Sequence, residues 1–147
     1  MIAVDTNILV YAERVESPWF PAAAKCLIEL AQGPSAWGLP WHCIHEFYGV
    51  VTNPRIWKPA TPPERAIAQI EAWLESPHVV LLNEGPKYWE TLKQILKSSA
   101  TVGPPVHDAR IAAVCLEHGV STLWSADRDF SRFPGLKVVN PLVTTGR

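Results

Sequence analysis

Charge of either sign is scarce in this chain. Asp, Glu, Lys and Arg make up 18% of its 147 residues, and 13 basic residues nearly cancel 14 acidic ones. Sparse charge beside 48% hydrophobic residues argues against an intrinsically disordered chain, which needs the opposite balance. The net charge of −1 also argues against a protein that grips nucleic acid chiefly by neutralising phosphates, because such surfaces are strongly basic. Any nucleic-acid partner would need local basic patches or a bound metal. Cysteine is confined to Cys26, Cys43 and Cys115, without zinc-site spacing or a disulfide framework, so buried, reduced thiols are expected. No apolar run approaches the ~20 residues of a membrane span. Met1 leads straight into an apolar stretch, leaving no room for a secretory signal, and a cytoplasmic protein without membrane association is expected. Neither G-x-x-x-x-G-K nor G-x-G-x-x-G occurs, which disfavours enzymes that cradle nucleotide phosphates.

What is present is a chain cut into short segments by proline. Ile2 to Val4 and Ala36 to Pro40 read as strands, followed by Val79 to Leu82, Thr122 to Ser125 and Lys137 to Asn140. All are short and mainly apolar, as strands buried on both faces are. Helices are expected between them. Ile8 opens one. Ser17-Pro18 predicts another, with a hydroxyl cap and proline in the first turn, and a stripe of Phe20, Ala24, Leu27 and Ala31. Trp41 to Val51 is a third. Thr61-Pro62-Pro63-Glu64 has the form of a capping box, ahead of Ile67, Ile70, Trp73 and Leu74. Gly85-Pro86 opens a helix with Trp89, Leu92 and Leu96 on one side, and Gly103-Pro104-Pro105 opens one that runs to Gly119, a left-handed stop. Strands alternating with helices predict an α/β fold in one domain, residues 1–147: a three-layer sandwich around a central parallel sheet of about five short strands.

Four acids sit where an exposed face does not need them. Asp5 closes the first strand, and Asp127 follows the fourth, with Asp129 two residues on. Parallel strands of one sheet end on the same side, so Asp5 and Asp127 should share a rim. Glu46 is the only acid of its helix. Asp108 lies in a first helical turn, where the helix dipole favours a carboxylate by roughly 0.3–1 kcal/mol. The small residues Ala109, Ala112 and Ala113 suit that helix to close packing on the sheet, which would carry Asp108 to the strand ends. Each acid has an ordinary explanation: helix capping for Asp5, solvation for Glu46, the dipole for Asp108, and a turn cap for Asp129. Together they point elsewhere, because clustered carboxylates repel unless they bind cations or hold protons. All-oxygen ligation suits Mg²⁺ or Mn²⁺, and such a site can activate water and shield phosphate charge.

The segments Ile2-Ala3-Val4-Asp5-Thr6-Asn7-Ile8-Leu9, Glu46, His107-Asp108-Ala109-Arg110-Ile111-Ala112-Ala113 and Ser125-Ala126-Asp127-Arg128-Asp129-Phe130 resemble a PIN-domain protein. The similarity is greatest to the VapC type, the toxin ribonucleases of bacterial and archaeal toxin–antitoxin pairs, and covers nearly the whole chain. The ending Phe133 to Pro141 is similar to one branch of that family. The resemblance implies a PIN-like parallel sheet between helices, a homodimer, and an endoribonuclease dependent on Mg²⁺ or Mn²⁺. It implies Asp5 and Asp108 as principal metal ligands, completed by Glu46 and Asp127, with Asp129 as an accessory acid. Thr6 or Asn7 would orient Asp5, and Ser125 stands where the family often has Thr. The implied partners are RNA, with structured RNA such as tRNA or rRNA plausible as substrate, and a small VapB-like antitoxin whose tail covers the active site. Trp41, Phe47 and Tyr48 are candidates for a dimer or antitoxin surface, against the commoner use of aromatics in the core.

For RNA contact, Arg55, Trp57 and Lys58 offer two cations and an indole on which a base can stack. Arg14, Arg128 and Arg132 lie near the expected rim. Three other readings compete. His42-Cys43-Ile44-His45-Glu46 fits neither H-E-x-x-H nor H-x-x-E-H, so zinc hydrolysis is disfavoured, and His107 is expected to be structural. A phosphatase of haloacid-dehalogenase type needs a second Asp two positions after the first, where this chain has Asn7. A silent PIN-like interaction module would have lost an acid, and none of the four is missing.

Overall fold

The computed structural model of the protein describes residues 1–143; the expected domain boundary at residue 147 lies outside the described residues. Five strands form one sheet: β1 (Ile2–Val4), β2 (Trp37–Pro40), β3 (Val79–Leu82), β4 (Thr122–Trp124) and β5 (Lys137–Val139). Every pairing is parallel, in the order β3-β2-β1-β4-β5. The helices among the described residues are α1 (Thr6–Glu13), α2 (Phe20–Gln32), α3 (Trp41–Val51), α4 (Pro63–Leu74), α5 (Tyr88–Ser98) and α6 (Val106–Glu117), with a 3-10 turn at Arg128–Arg132. None is long and apolar enough to cross a membrane.

The strand order fixes where a ligand can enter. From β1 the chain steps outward to β2 and β3, then returns to the other side of β1 to lay down β4 and β5. Neighbouring strands β1 and β4 therefore send their chains off in opposite directions, which leaves a crevice beyond their carboxyl ends. Ile2 pairs with Trp37 on one side and Thr122 on the other. The Asp5 amide extends the ladder by donating to the Trp124 carbonyl at 2.9 Å. Asp5 and the residues after β4 are thereby held at one rim.

Packing follows the apolar pattern. Ala3, Val4, Ile8, Leu9, Trp37, Leu39 and Leu123 are buried in the centre, as are Ala109, Ala112 and Ala113 of α6. The small face of α6 thus seats it closely, as its alanines predict. Phe47 is also core: it meets Trp73 edge to face at 4.8 Å between ring centroids, which removes it from any dimer or antitoxin surface. Trp41 and Tyr48 are half-buried against the core. Burying a side chain of this size contributes roughly 1.5–3 kcal/mol each.

Several helix starts differ from expectation because the capping hydroxyls are used otherwise. α2 begins at Phe20, with Pro21 in its first turn, while buried Ser17 accepts from the Trp19 amide at 3.1 Å in the preceding turn. Its buried stripe centres on Ala23 and Leu27. α4 has no side-chain cap, because the Thr61 hydroxyl is buried and accepts from Arg14 at 2.9 Å. In α4 Ile67 is exposed and Ala66 and Trp73 face inward; in α5 Leu92 and Ile95 face inward and Trp89 points to solvent. Of the thiols, Cys43 and Cys115 are buried and free, whereas Cys26 is free but only half-buried.

Candidate active site

At the carboxyl end of β1 the chain turns directly into α1, and Asp5 is the hinge between them. Its extended backbone caps the helix, and one side-chain oxygen accepts from the Thr6 amide at 2.7 Å. The capping explanation is therefore satisfied. The second oxygen is held differently: Ser125, just past β4, donates its hydroxyl to it at 2.7 Å, and the Asn7 amide reaches it at 3.3 Å. The thiol of Cys43 on α3 donates weakly to the first oxygen at 3.7 Å.

Ser125 and Asn7 join the two strand ends. The Ser125 oxygen accepts from the Asp127 amide at 2.9 Å and from the Asn7 side chain at 3.2 Å. The Asn7 carbonyl accepts from the Ala126 amide at 3.1 Å. On the far side, the Thr6 hydroxyl donates to Glu46 of α3 at 3.3 Å. The three residues expected to orient Asp5 thus contact it or brace its neighbours, and Thr6 reaches Glu46 besides. Cys43 carried no such signal, since a lone cysteine in an apolar helix reads as core.

Asp5, Glu46, Asp108 and Asp127 line one cleft of about 320 Å³. α6 delivers Asp108 from its first turn, and the 3-10 turn after β4 delivers Asp127 and Asp129. Carboxylate oxygens of Asp108, Asp127 and Asp129 lie within 4.8 Å of one another. Asp5 and Glu46 border the cleft without joining that tight trio, which the accessory acid Asp129 completes instead. The turn is capped by Asp127, which accepts from the Asp129 amide at 2.8 Å; Asp129 is not the cap and faces Arg132 at 3.7 Å.

The electrostatics reflect burial first and neighbouring charge second. Burial, more than any neighbour, pushes the Asp5 carboxyl up to about 6, against hydrogen bonds from Ser125 and Thr6 that lower it; the charges of Glu46 and Asp108 add to the rise. Asp108 is also raised, first by burial and then by Asp127, Glu46 and Asp129. Such a set costs folding energy that a cation would relieve. The donors are carboxylate oxygens, the chemistry preferred by Mg²⁺ and Mn²⁺, and three of them already converge. No histidine belongs to the converging group among the described residues.

The expected RNA contacts separate into two sets. Trp57 and the exposed Ile56 form a wall of the acidic cleft with Val10, Tyr11, Val50 and Ile111. Arg55 and Lys58 are exposed on the same loop, and Arg128 and Arg132 are exposed on the turn beside Asp127. Arg14 is a correction. It is 7% exposed, pairs with Glu16, donates to Thr61 and to the Pro59 carbonyl at 2.7 Å, and lies over the Trp57 ring at 4.8 Å. Its donors are spent on pinning the loop, so it is not free to take a phosphate.

An acidic crevice at the switch point of a parallel sheet defines a class of α/β proteins suited to divalent cations. The chain belongs to the PIN domain family, whose model matches residues 2–136. It is 33% identical over 138 residues to Ribonuclease VapC48 of Mycobacterium tuberculosis, covering 93% of this chain and 94% of that protein. It is 34% identical over 142 residues to VapC ribonuclease Mb2897 of Mycobacterium bovis, covering 97% and 96%. The fold is similar to that of VapBC2 from Rickettsia felis, solved bound to a DNA fragment from its promoter, with a TM-score of 0.68, 19% identity, and coverage of 95% of this chain and 98% of that one. It is also similar to Mycobacterium tuberculosis VapC20, described as a Sarcin-Ricin loop cleaving toxin, with a TM-score of 0.66, 20% identity, and coverage of 89% and 93%.

Proposed function

We propose that this protein is a metal-dependent endoribonuclease, the toxin of a toxin–antitoxin pair. The observation that carries the reading is the convergence of Asp5, Glu46, Asp108 and Asp127, from four separate parts of the chain, on one cleft. Curated relatives above 30% identity over nearly the whole chain are named ribonucleases. Asp5, Glu46, Asp108 and Asp127 would hold Mg²⁺ or Mn²⁺, with Asp129 as a further acid. When bound, the ion supplies charge neutralisation at the phosphate and lowers the pKa of water. Ser125, Asn7 and Thr6 fix the Asp5 carboxylate so that no reorganisation is needed when substrate arrives. Trp57 offers a ring for an unstacked base, and Arg55, Lys58 and Arg128 meet phosphates around the rim. The products are a 5′-phosphate and a 3′-hydroxyl.

The protein pairs with a second copy and is restrained by a VapB-like antitoxin; the VapBC complex among its structural neighbours supports that partner. A silent interaction module gains no support, because all four acids are present and line one cleft. A phosphatase of haloacid-dehalogenase type gains none, because Asn7 is committed to Ser125 and Ala126. The test is cleavage of total RNA by purified protein with Mg²⁺ or Mn²⁺, followed by 5′-end mapping. Cuts that vanish in EDTA and in Asp5→Asn are expected. Cleavage that persists in Asp5→Asn overturns the assignment.

A further inference from the structure

A second cavity, of about 200 Å³, adjoins the acidic cleft and shares Glu46 with it. Its other walls are His42 and His45 from the start of α3 and His107 and Arg110 from the start of α6. Three of the chain's five histidines are gathered here. Their spacing matches no zinc motif, and metal-dependent RNA cleavage at the acidic cleft does not require them.

Four features suit this cavity to an anion. Arg110 is permanently charged and forms no ion pair among the described residues. Each imidazole carries at least one donor N–H in either protonation state. The cavity is walled by residues from the first turns of two helices, whose N-terminal ends carry partial positive charge and are not capped by a side chain. Finally, the Arg110 charge reaches across the site: after burial, it is the next cause that holds His42 below its ordinary value. Two acids oppose an anion. Glu84 is 53% exposed, so water screens its charge; the His42 Nε2 that lies 3.4 Å from it is held below its ordinary value and does not offset it. Glu46 belongs to the acidic cleft, where the proposed cation offsets its charge.

We infer that the cavity lined by His42, His45, His107 and Arg110 is a phosphate subsite for the RNA backbone, taking the phosphate next to the one at the acidic cleft. This rests on the ribonuclease reading and extends it. Glu46 is the shared wall, so a strand crossing the cleft carries its neighbouring phosphate into the cavity. The subsite explains how a chain of net charge −1 holds a polyanion: the positive charge is local and placed where the strand leaves the cut. Arg110 acts here as a binding residue with no part in bond cleavage.

The experiment is cleavage kinetics on a single-stranded RNA that the wild type cuts, with wild-type and Arg110→Gln full-length protein across a series of salt concentrations. Expected for Arg110→Gln are a KM raised about five- to tenfold, kcat within about twofold, and a salt slope of log(kcat/KM) shallower by about one. The second arm needs no protein variant. Single neutral methylphosphonates are placed in turn at every linkage except the one cut. One linkage beside the cut should slow the wild type by a similar factor and add nothing in Arg110→Gln. An unchanged salt slope in Arg110→Gln overturns the subsite while leaving the ribonuclease reading intact, as does a scan with no sensitive neighbouring linkage even if Arg110→Gln misfolds. Arg110→Gln that escapes antitoxin inhibition yet keeps its RNA kinetics assigns the cavity to a protein carboxylate and overturns it too. A wild type that cuts no RNA overturns the ribonuclease reading itself, and the subsite falls with it.

Discussion

Ser125 donates its hydroxyl proton to Asp5 at 2.7 Å across the gap between two strand ends that are 120 residues apart in the chain. The same oxygen accepts the Asp127 amide. One buried hydroxyl therefore sets the position of one acid and the backbone of a second.

Removing it should disturb both. Ser125→Ala leaves the buried Asp5 oxygen with one fewer donor and the Asp127 amide without its acceptor, which should cost roughly 1–3 kcal/mol of stability. Because the Ser125 hydrogen bond lowers the Asp5 carboxyl, its loss raises that group further, and the acidic limb of the pH–rate profile should move to higher pH. Ser125→Thr keeps the hydroxyl and should restore the profile. An unmoved limb in Ser125→Ala would show that Asp5 is set by burial alone.

Asp5 should make metal-free stability depend on pH with a definite sign. Its carboxyl rises from 3.8 to about 6 in the folded chain, so between those values the folded state holds more protons than the unfolded state. Stability must then fall as pH rises through this window. The full difference corresponds to about 3 kcal/mol. Urea unfolding in EDTA at a series of pH values should show the decline, and Asp5→Asn should flatten it. A wild-type curve rising through this window would contradict the burial assigned to Asp5.

Cation binding should recover the cost of crowding. Mn²⁺ at a hundred times its Kd stabilises the native state by about 2.7 kcal/mol, or roughly 5–10 °C in Tm for a chain of this size. Asp108→Asn should cut that response to a small fraction, and Asp129→Asn should cut it measurably, given the 4.8 Å trio. An Asp108→Asn protein with the full response would reduce Asp108 to a helix-terminus acid.

Arg14 should behave as a structural residue. Arg14→Ala leaves Thr61 and the Pro59 carbonyl unpaired and frees Trp57, at a cost of roughly 2–3 kcal/mol. Arg14→Lys should recover little, because an ammonium lacks the planar fork. The salt slope of RNA binding should not change, and a shallower slope would return Arg14 to the phosphate contacts.

Trp57 should act on substrate. Trp57→Ala should raise KM by an amount equivalent to about 1–3 kcal/mol of lost stacking, and Trp57→Phe should keep part of it. Equal KM values in all three proteins would make the indole merely a wall of the cleft.

Much of this was legible in the chain. The strands stood out because each is short and largely apolar, and Val79–Leu82 and Trp41–Val51 fall where their patterns place them. What misled was local capping chemistry. Thr61 and Ser17 look like helix caps in sequence, but each spends its hydroxyl on another contact. Phe47 and Trp89 exchanged their expected roles for a comparable reason: helical spacing shows that a face is apolar, not which neighbour it will meet.

The sequence by itself determined the alternation of strands and helices, the parallel sheet, and the placing of Asp5 and Asp127 at one rim. These follow from apolar runs, turn residues and the rule that parallel strands end together. Tertiary structure decided the rest. It drew Asp129 into the tight trio with Asp108 and Asp127, spent Arg14 on a loop, and set three histidines and Arg110 beside Glu46. Those outcomes depend on how α1, α3, α6 and the turn after β4 pack around the crevice, and a contact between residues some 20 to 70 positions apart leaves no local trace in either segment.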